Sequence, residues 1–138
     1  MRILCIDPGD KNIGVALSDP SATIANPLTV IQHVSRQIDA ATIAGLAREN
    51  GVEKIIVGQS LDVDGKPSFQ GRKAARLATA IRTQTQIPVE LWDEGYSTQT
   101  ARSAQIVMGT HRAKRSGHLD ELAATVILQS YLDRDLLP

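Results

Sequence analysis

The 138-residue chain carries 15 basic and 15 acidic residues and a formal net charge of zero, which excludes a global field drawing it to nucleic acid or membrane and leaves any such signal to local clusters. A single cysteine, Cys5, excludes an internal disulfide and fits a reducing compartment. One domain over residues 1–138 is expected, and because no stretch is apolar enough for a signal peptide or a membrane span, so is a soluble, cytoplasmic protein.

Ile3, Leu4, Cys5 and Ile6 read as a fully buried strand over residues 2–7, yet that strand ends on a carboxylate, Asp7. Gly9 suits a turn that a side chain would hinder, and Gly14 lets a neighbour or ligand approach the second strand, residues 13–19, closely. Ala22 to Ile31 supplies a third strand, which Pro27 assigns to an edge. A helix follows from Ser35, an N-cap residue, to Asn50, with Gly51 just past its end. Lys54 to Gly58 is a β-branched strand, and Gln59 to Phe69 a loop.

From Gln70 a helix places Ala74, Leu77, Ala78 and Ile81 on one face and Arg72, Lys73, Arg76 and Arg82 on the other. Pro88 to Trp92 is a fifth strand, Ser97 to Met108 a helix capped by Gly109, and residues 110–117 a basic loop. The last helix, from about His118 to Asp133, has Leu119, Leu122, Ala123, Val126 and Ile127 at core spacing. This order gives an α/β fold. Its mixed five-stranded sheet has the first three strands antiparallel, the fourth and fifth parallel to the first, and helices on its faces. Ligands of such a sheet collect beyond the carboxyl ends of the parallel strands.

Asp7 stands at one such end, and Asp93 with Glu94 follows the fifth strand, although two adjacent acids also suit a solvated loop. Asp120 precedes Ala123, Ala124, Ile127 and Tyr131 at spacings that put it on the packed stripe of the last helix, where an acid needs a partner or a metal. The competing reading is a first-turn aspartate favoured by the helix dipole. Acids gathered from these three places would repel one another, and oxygen-only ligands select Mg²⁺ or Mn²⁺ over Zn²⁺. Two such ions about 4 Å apart serve phosphodiester hydrolysis. His33, His111 and His118 lack zinc spacing, and no phosphate-binding loop with a following lysine is present. Arg112, Lys114 and Arg115 form a basic run just ahead of Asp120, suited to phosphate backbone at the rim of an acidic centre; Arg72, Lys73 and Arg76 either extend that rim or, as the simpler reading, are exposed helix-face charges. Four aromatics, Phe69, Trp92, Tyr96 and Tyr131, provide no base-stacking platform.

Asp7-Pro8-Gly9, Ile13 to Asp19, Ile56-Val57-Gly58 with Asp64-Gly65, Trp92-Asp93-Glu94 with Ser97-Thr98, and Leu119 to Ala124 with Leu128 to Leu132 together resemble the YqgF/RuvX family of RNase H-like proteins. That family is described both as Holliday junction resolvases and as nucleases maturing the 5′ end of pre-16S ribosomal RNA. The resemblance implies an RNase H-like fold and a metal-dependent endonuclease. It makes Asp7, Glu94 and Asp120 the catalytic acids, with Asp93 an additional metal-ligand candidate beside Glu94. Lys114 and Arg115 would hold phosphate, with the Gly9 turn as the floor on which it lies. The chain departs from the family in having Asn12 and Gly95 where arginines are common and Ser60 where proline is usual, so Lys11 or the 111–115 rim would compensate. The resemblance favours an rRNA precursor over branched DNA. A resolvase would require a symmetric, if weak, homodimer. Two further readings are a non-catalytic nucleic-acid-binding adaptor and, less compatible with the chain length, a phosphotransferase fragment.

Overall fold

A computed structural model of the chain describes residues 1–59, 69–93 and 116–134. Five strands form one sheet: β1 (Arg2–Pro8), β2 (Asn12–Ser18), β3 (Ala25–Gln32), β4 (Val52–Gln59) and β5 (Val89–Asp93). The described helices are α1 (Arg36–Glu49), α2 (Phe69–Arg82) and α3 (Ser116–Leu132). The strand order is β3-β2-β1-β4-β5. The β1–β2 and β2–β3 pairs are antiparallel, and the β1–β4 and β4–β5 pairs parallel, as the order of elements predicts.

Strand alternation divides the core in two. Leu4 and Ile6 of β1, Ile13 and Val15 of β2 and Ile55 and Val57 of β4 meet α1 and α2 on one face. Ile3, Cys5, Ala16 and Ile56 meet Ala124, Ile127, Leu128 and Tyr131 of α3 on the other. β1 is thus apolar without interruption from Ile3 to Ile6 because both its faces are covered, and each large side chain so buried contributes about 1.5–3 kcal/mol. Ser35 caps α1 by accepting the Ile38 N–H at 3.2 Å. Gly51, at φ +64°, ends the helix in a conformation that disfavours side chains.

Several boundaries differ from the expected ones. β3 begins at Ala25 and not at Ala22, because the Asp19 carboxylate accepts the N–H groups of Thr23 (2.8 Å) and Ile24 (2.9 Å) and holds 19–24 in a turn where Ala22 takes φ +57°. Gln59 and Phe69, expected in a loop, end β4 and begin α2. α3 starts at Ser116, so Ser116 and Gly117 are helical; the rest of the basic run and the expected Ser97–Met108 helix lie outside the described residues. Its buried stripe is Ala124, Ile127, Leu128 and Tyr131, whereas Ala123 is exposed and Leu122 and Val126 are half-buried. Apolar residues occur on nearly every side of this helix, so spacing alone does not set its rotation. No helix among the described residues is long and apolar enough to cross a membrane.

Candidate active site

Asp7 is half-buried at the carboxyl end of β1, directly opposite Gly14 of β2. Alternation puts it on the same face as Ile3 and Cys5, the face covered by α3. Cross-strand partners in an antiparallel pair share a face, so the residue beside the carboxylate is one that lacks a side chain. The turn that follows is tight for a steric reason: a β-carbon at Gly9 would lie 2.4 Å from the carbonyl oxygen of Asn12. Lys11 is exposed in that turn, its carbonyl accepting the His33 N–H at 2.8 Å, and Asn12 is exposed at the first position of β2.

The last turns of α3 lie at the opposite end of the sheet. Gln129 accepts the Ala25 N–H at 2.9 Å and donates to the Thr23 carbonyl at 3.1 Å, at the start of β3. The Tyr131 hydroxyl accepts from Lys54 Nζ at 2.5 Å and donates to Glu90 Oε2 at 3.1 Å, at the starts of β4 and β5. α3 therefore runs antiparallel to β1, and its N-terminal end returns to the edge where Asp7 stands. From Tyr131 back to Asp120 the helix rises about 16 Å, at 1.5 Å per residue. From Ile3, which pairs with Lys54, to Asp7 β1 advances about 13 Å, at 3.3 Å per residue. The backbone of Asp120 thus reaches the height of Asp7 on the same face.

Asp93 ends β5 in register with Gln59 of β4, at the same edge. It shares the parity of Val89 and Leu91, which pack towards α1 and α2, whereas Trp92 packs on the α3 side. Asp93 and Asp7 are therefore on opposite faces. Trp92 is structural: its indole N–H donates to Ser130 Oγ at 2.9 Å and its ring meets Tyr131 edge-on at 5.1 Å. Glu94, Arg112, Lys114 and Arg115 lie outside the described residues. Among the described side chains no three His, Cys, Asp or Glu gather as metal ligands.

Sequence reasoning missed a second feature. A cleft of about 280 Å³ opens at the same edge on the α1–α2 face, between the β1–β2 turn and the facing parts of α1 and α2. Asp39, 2% exposed, bonds His33 Nδ1 at 2.5 Å and accepts the Val34 N–H at 3.1 Å. An aspartate in the first turn of a polar helix reads as a dipole partner; the histidine that meets it lies beyond the helix, and no local pattern marks the pairing. Lys73, expected as an exposed charge, reaches across to Asp10 at 2.9 Å.

The model of one family, RuvX: Holliday junction resolvase, matches residues 1–134. The chain belongs to this RuvX family. Two relatives carry the name "Putative pre-16S rRNA nuclease". One, from Caldanaerobacter subterraneus subsp. tengcongensis, is 42% identical over 134 residues, covering 96% of each chain. The other, from Syntrophus aciditrophicus, is 43% identical over 133 residues, covering 96% of this chain and 89% of its own. Among solved structures, this RuvX member is similar to Thermus thermophilus RuvC in complex with a Holliday junction substrate, with TM-score 0.65 and 16% identity over 99% of this chain and 96% of that one. It is also similar to the fowlpox virus Holliday junction resolvase, with TM-score 0.57 and 16% identity over 97% and 99%. At these identities the likeness concerns the fold, and the RuvX chain shares the RNase H-like architecture of these resolvases.

Proposed function

We propose that this chain is a metal-dependent endonuclease of structured nucleic acid, acting in 5′-end maturation of pre-16S rRNA. The observation that carries this reading is the placing of Asp7 on the face of the sheet to which α3 returns at Asp120, opposite the bare backbone of Gly14. Membership of the RuvX family and the name borne by its relatives support the chemistry and favour the RNA substrate. The oxygen-only donors Asp7, Glu94 and Asp120 fit Mg²⁺ or Mn²⁺. Asp93, whose parity takes it to the other face, is set aside as a direct ligand in favour of Glu94.

A bound divalent cation supplies charge for an attacking water and for the departing oxygen. The protein's own part is to hold three carboxylates at one edge, to keep that edge open beside Gly14, and to seat the phosphate backbone. Lys11, Arg112, Lys114 and Arg115 are assigned to the backbone, which they bind through charge without reading base sequence. Water adds to phosphorus and one ester oxygen departs carrying a proton, leaving a phosphate end and a hydroxyl end.

Asp7→Asn tests the reading. Cleavage of an rRNA precursor in Mg²⁺ or Mn²⁺ is expected to fall more than about 100-fold, beyond the 10–100-fold typical of residues that merely support a ligand. Mn²⁺ should raise the melting temperature of the wild type and leave that of the variant unchanged. Equal cleavage by both proteins would replace the nuclease by a nucleic-acid-binding adaptor. Preference for a four-way DNA junction over the precursor would replace rRNA maturation by junction resolution, the activity in the family's description.

A further inference from the structure

The cleft on the α1–α2 face is not used by the site around Asp7, although the two meet at the β1–β2 turn: Pro8 and Gly9 line the cleft, and Asp7 precedes them on the other side of the sheet. Its two carboxylates are already matched. Asp10 holds Lys73 at 2.9 Å, and Asp39 is engaged by His33 and by the Val34 N–H. Arg36 and Arg76, both exposed, line the cleft from α1 and α2 respectively, and neither has an ion pair or side-chain hydrogen bond among the described residues. Two guanidinium groups facing one concavity, with the local acids satisfied, present forked donors suited to an oxyanion with several acceptor oxygens. Arg36 is also the first residue of a 14-residue helix, whose N-terminal dipole adds to the same field.

We propose that this cleft is a phosphate-binding site, with Arg36 and Arg76 as its binding residues and the Lys73–Asp10 pair as the brace that fixes its mouth to the β1–β2 turn. In the nuclease reading, on which the identity of the donor rests, the phosphate belongs to a strand that passes over Gly9 from Asp7. The cleft then grips the chain beyond the scissile bond and sets how much of it must extend past the cut. The same chemistry would accept the phosphate of a free nucleoside monophosphate.

The test uses full-length protein with a chelator present, so that binding is read without cleavage. Affinity for a labelled single-stranded RNA is measured against salt for wild type, Arg36→Gln, Arg76→Gln and, as a control in the last turn of α1, Arg48→Gln. Each cleft variant is expected to lower the slope of log K against log salt by about 0.7, one phosphate contact on a single strand, while Arg48→Gln leaves it unchanged. AMP and inorganic phosphate are titrated in parallel against the His33 imidazole NMR signal. Unchanged RNA slopes, with a His33 response to AMP or phosphate that is lost in the cleft variants, assign the site to a free phosphate compound. Failure of the cleft variants to alter either readout, or an equal loss in Arg48→Gln, overturns the proposal. Because cleavage is not measured, a failure of the nuclease reading leaves this result interpretable. Matching melting temperatures exclude misfolding of these surface variants.

Discussion

The contact that Gly9 avoids is with backbone, and backbone at the head of β2 cannot rotate aside as a long side chain could. Gly9→Ala, whose β-carbon would stand 2.4 Å from the Asn12 carbonyl oxygen, must therefore shift the turn itself. It is expected to cost about 1–3 kcal/mol of stability, read as a lower urea midpoint with unchanged slope. Nuclease activity should fall further than stability alone accounts for, because the turn continues directly from the strand end that holds Asp7. At this scale the sequence was legible where chemistry contradicted its surroundings. A carboxylate closing a run of buried apolar residues, and a glycine two positions on, are visible without coordinates. The His33–Asp39 pair was not: the two lie six residues apart, on either side of the Ser35 cap, and only the path of the turn into α1 brings the ring to the carboxylate.

Among the elements, α3 shows what patterning can and cannot fix. Its existence follows from its length and apolar content, but its rotation is set by tertiary contacts, Tyr131 and Gln129 above all; spacing put Ala124, Ile127 and Tyr131 on the packed stripe correctly but added Ala123, which is exposed, and left out Leu128, which is buried. Tyr131 is 1% exposed, with Lys54 Nζ 5.1 Å and the Arg134 guanidinium 4.0 Å from its ring centre. Tyr131→Phe keeps the ring and deletes the hydroxyl between Lys54 and Glu90; a loss of about 1 kcal/mol in chemical denaturation is expected. The Lys54 hydrogen bond chiefly holds the Glu90 carboxyl below its ordinary 4.5, and the Glu90 hydrogen bond chiefly raises Lys54 above 10.5. The folded state thus binds fewer protons at Glu90 on the acid side and retains more at Lys54 on the alkaline side. The pair's contribution is present between those ordinary values. It fades as pH falls below 4.5 through the depressed Glu90 value, and as pH rises past 10.5 through the raised Lys54 value. Glu90→Gln should flatten the acid limb of a melting-temperature profile below pH 4.5 without altering the limb set by Asp19, which backbone N–H donors, Ile24 foremost, also hold far down.

For the molecule as a whole, the order of elements sufficed to read the sheet: three antiparallel strands followed by two right-handed crossovers leave few topologies, and β3-β2-β1-β4-β5 is the one found. The edge at which the site is proposed followed from that topology and not from any one motif. The position of Asp93 on the far face did not, because choosing between two adjacent acids requires the parity of the strand they end. Assembly separates the two nucleic-acid readings at this scale. Maturation of an RNA end needs one site, so specific activity should be constant across a protein dilution series. Junction resolution needs paired sites, and activity would rise with the dimer fraction measured by sedimentation.

The clamp of Gln129, Ser130 and Tyr131 secures α3 at the end of the sheet remote from the proposed site, and the core holds the helix as far as Ala124, so that the stretch from Ala124 back to Asp120 is its overhang. Over that overhang of about 6 Å, at 1.5 Å per residue, a tilt of about 10° moves the backbone of Asp120 by about 1 Å, a displacement able to cost about 100-fold in rate. Loosening the support is thus a way to detune the enzyme from a distance. Tyr131→Phe, which touches no substrate, should lower kcat and leave KM in place.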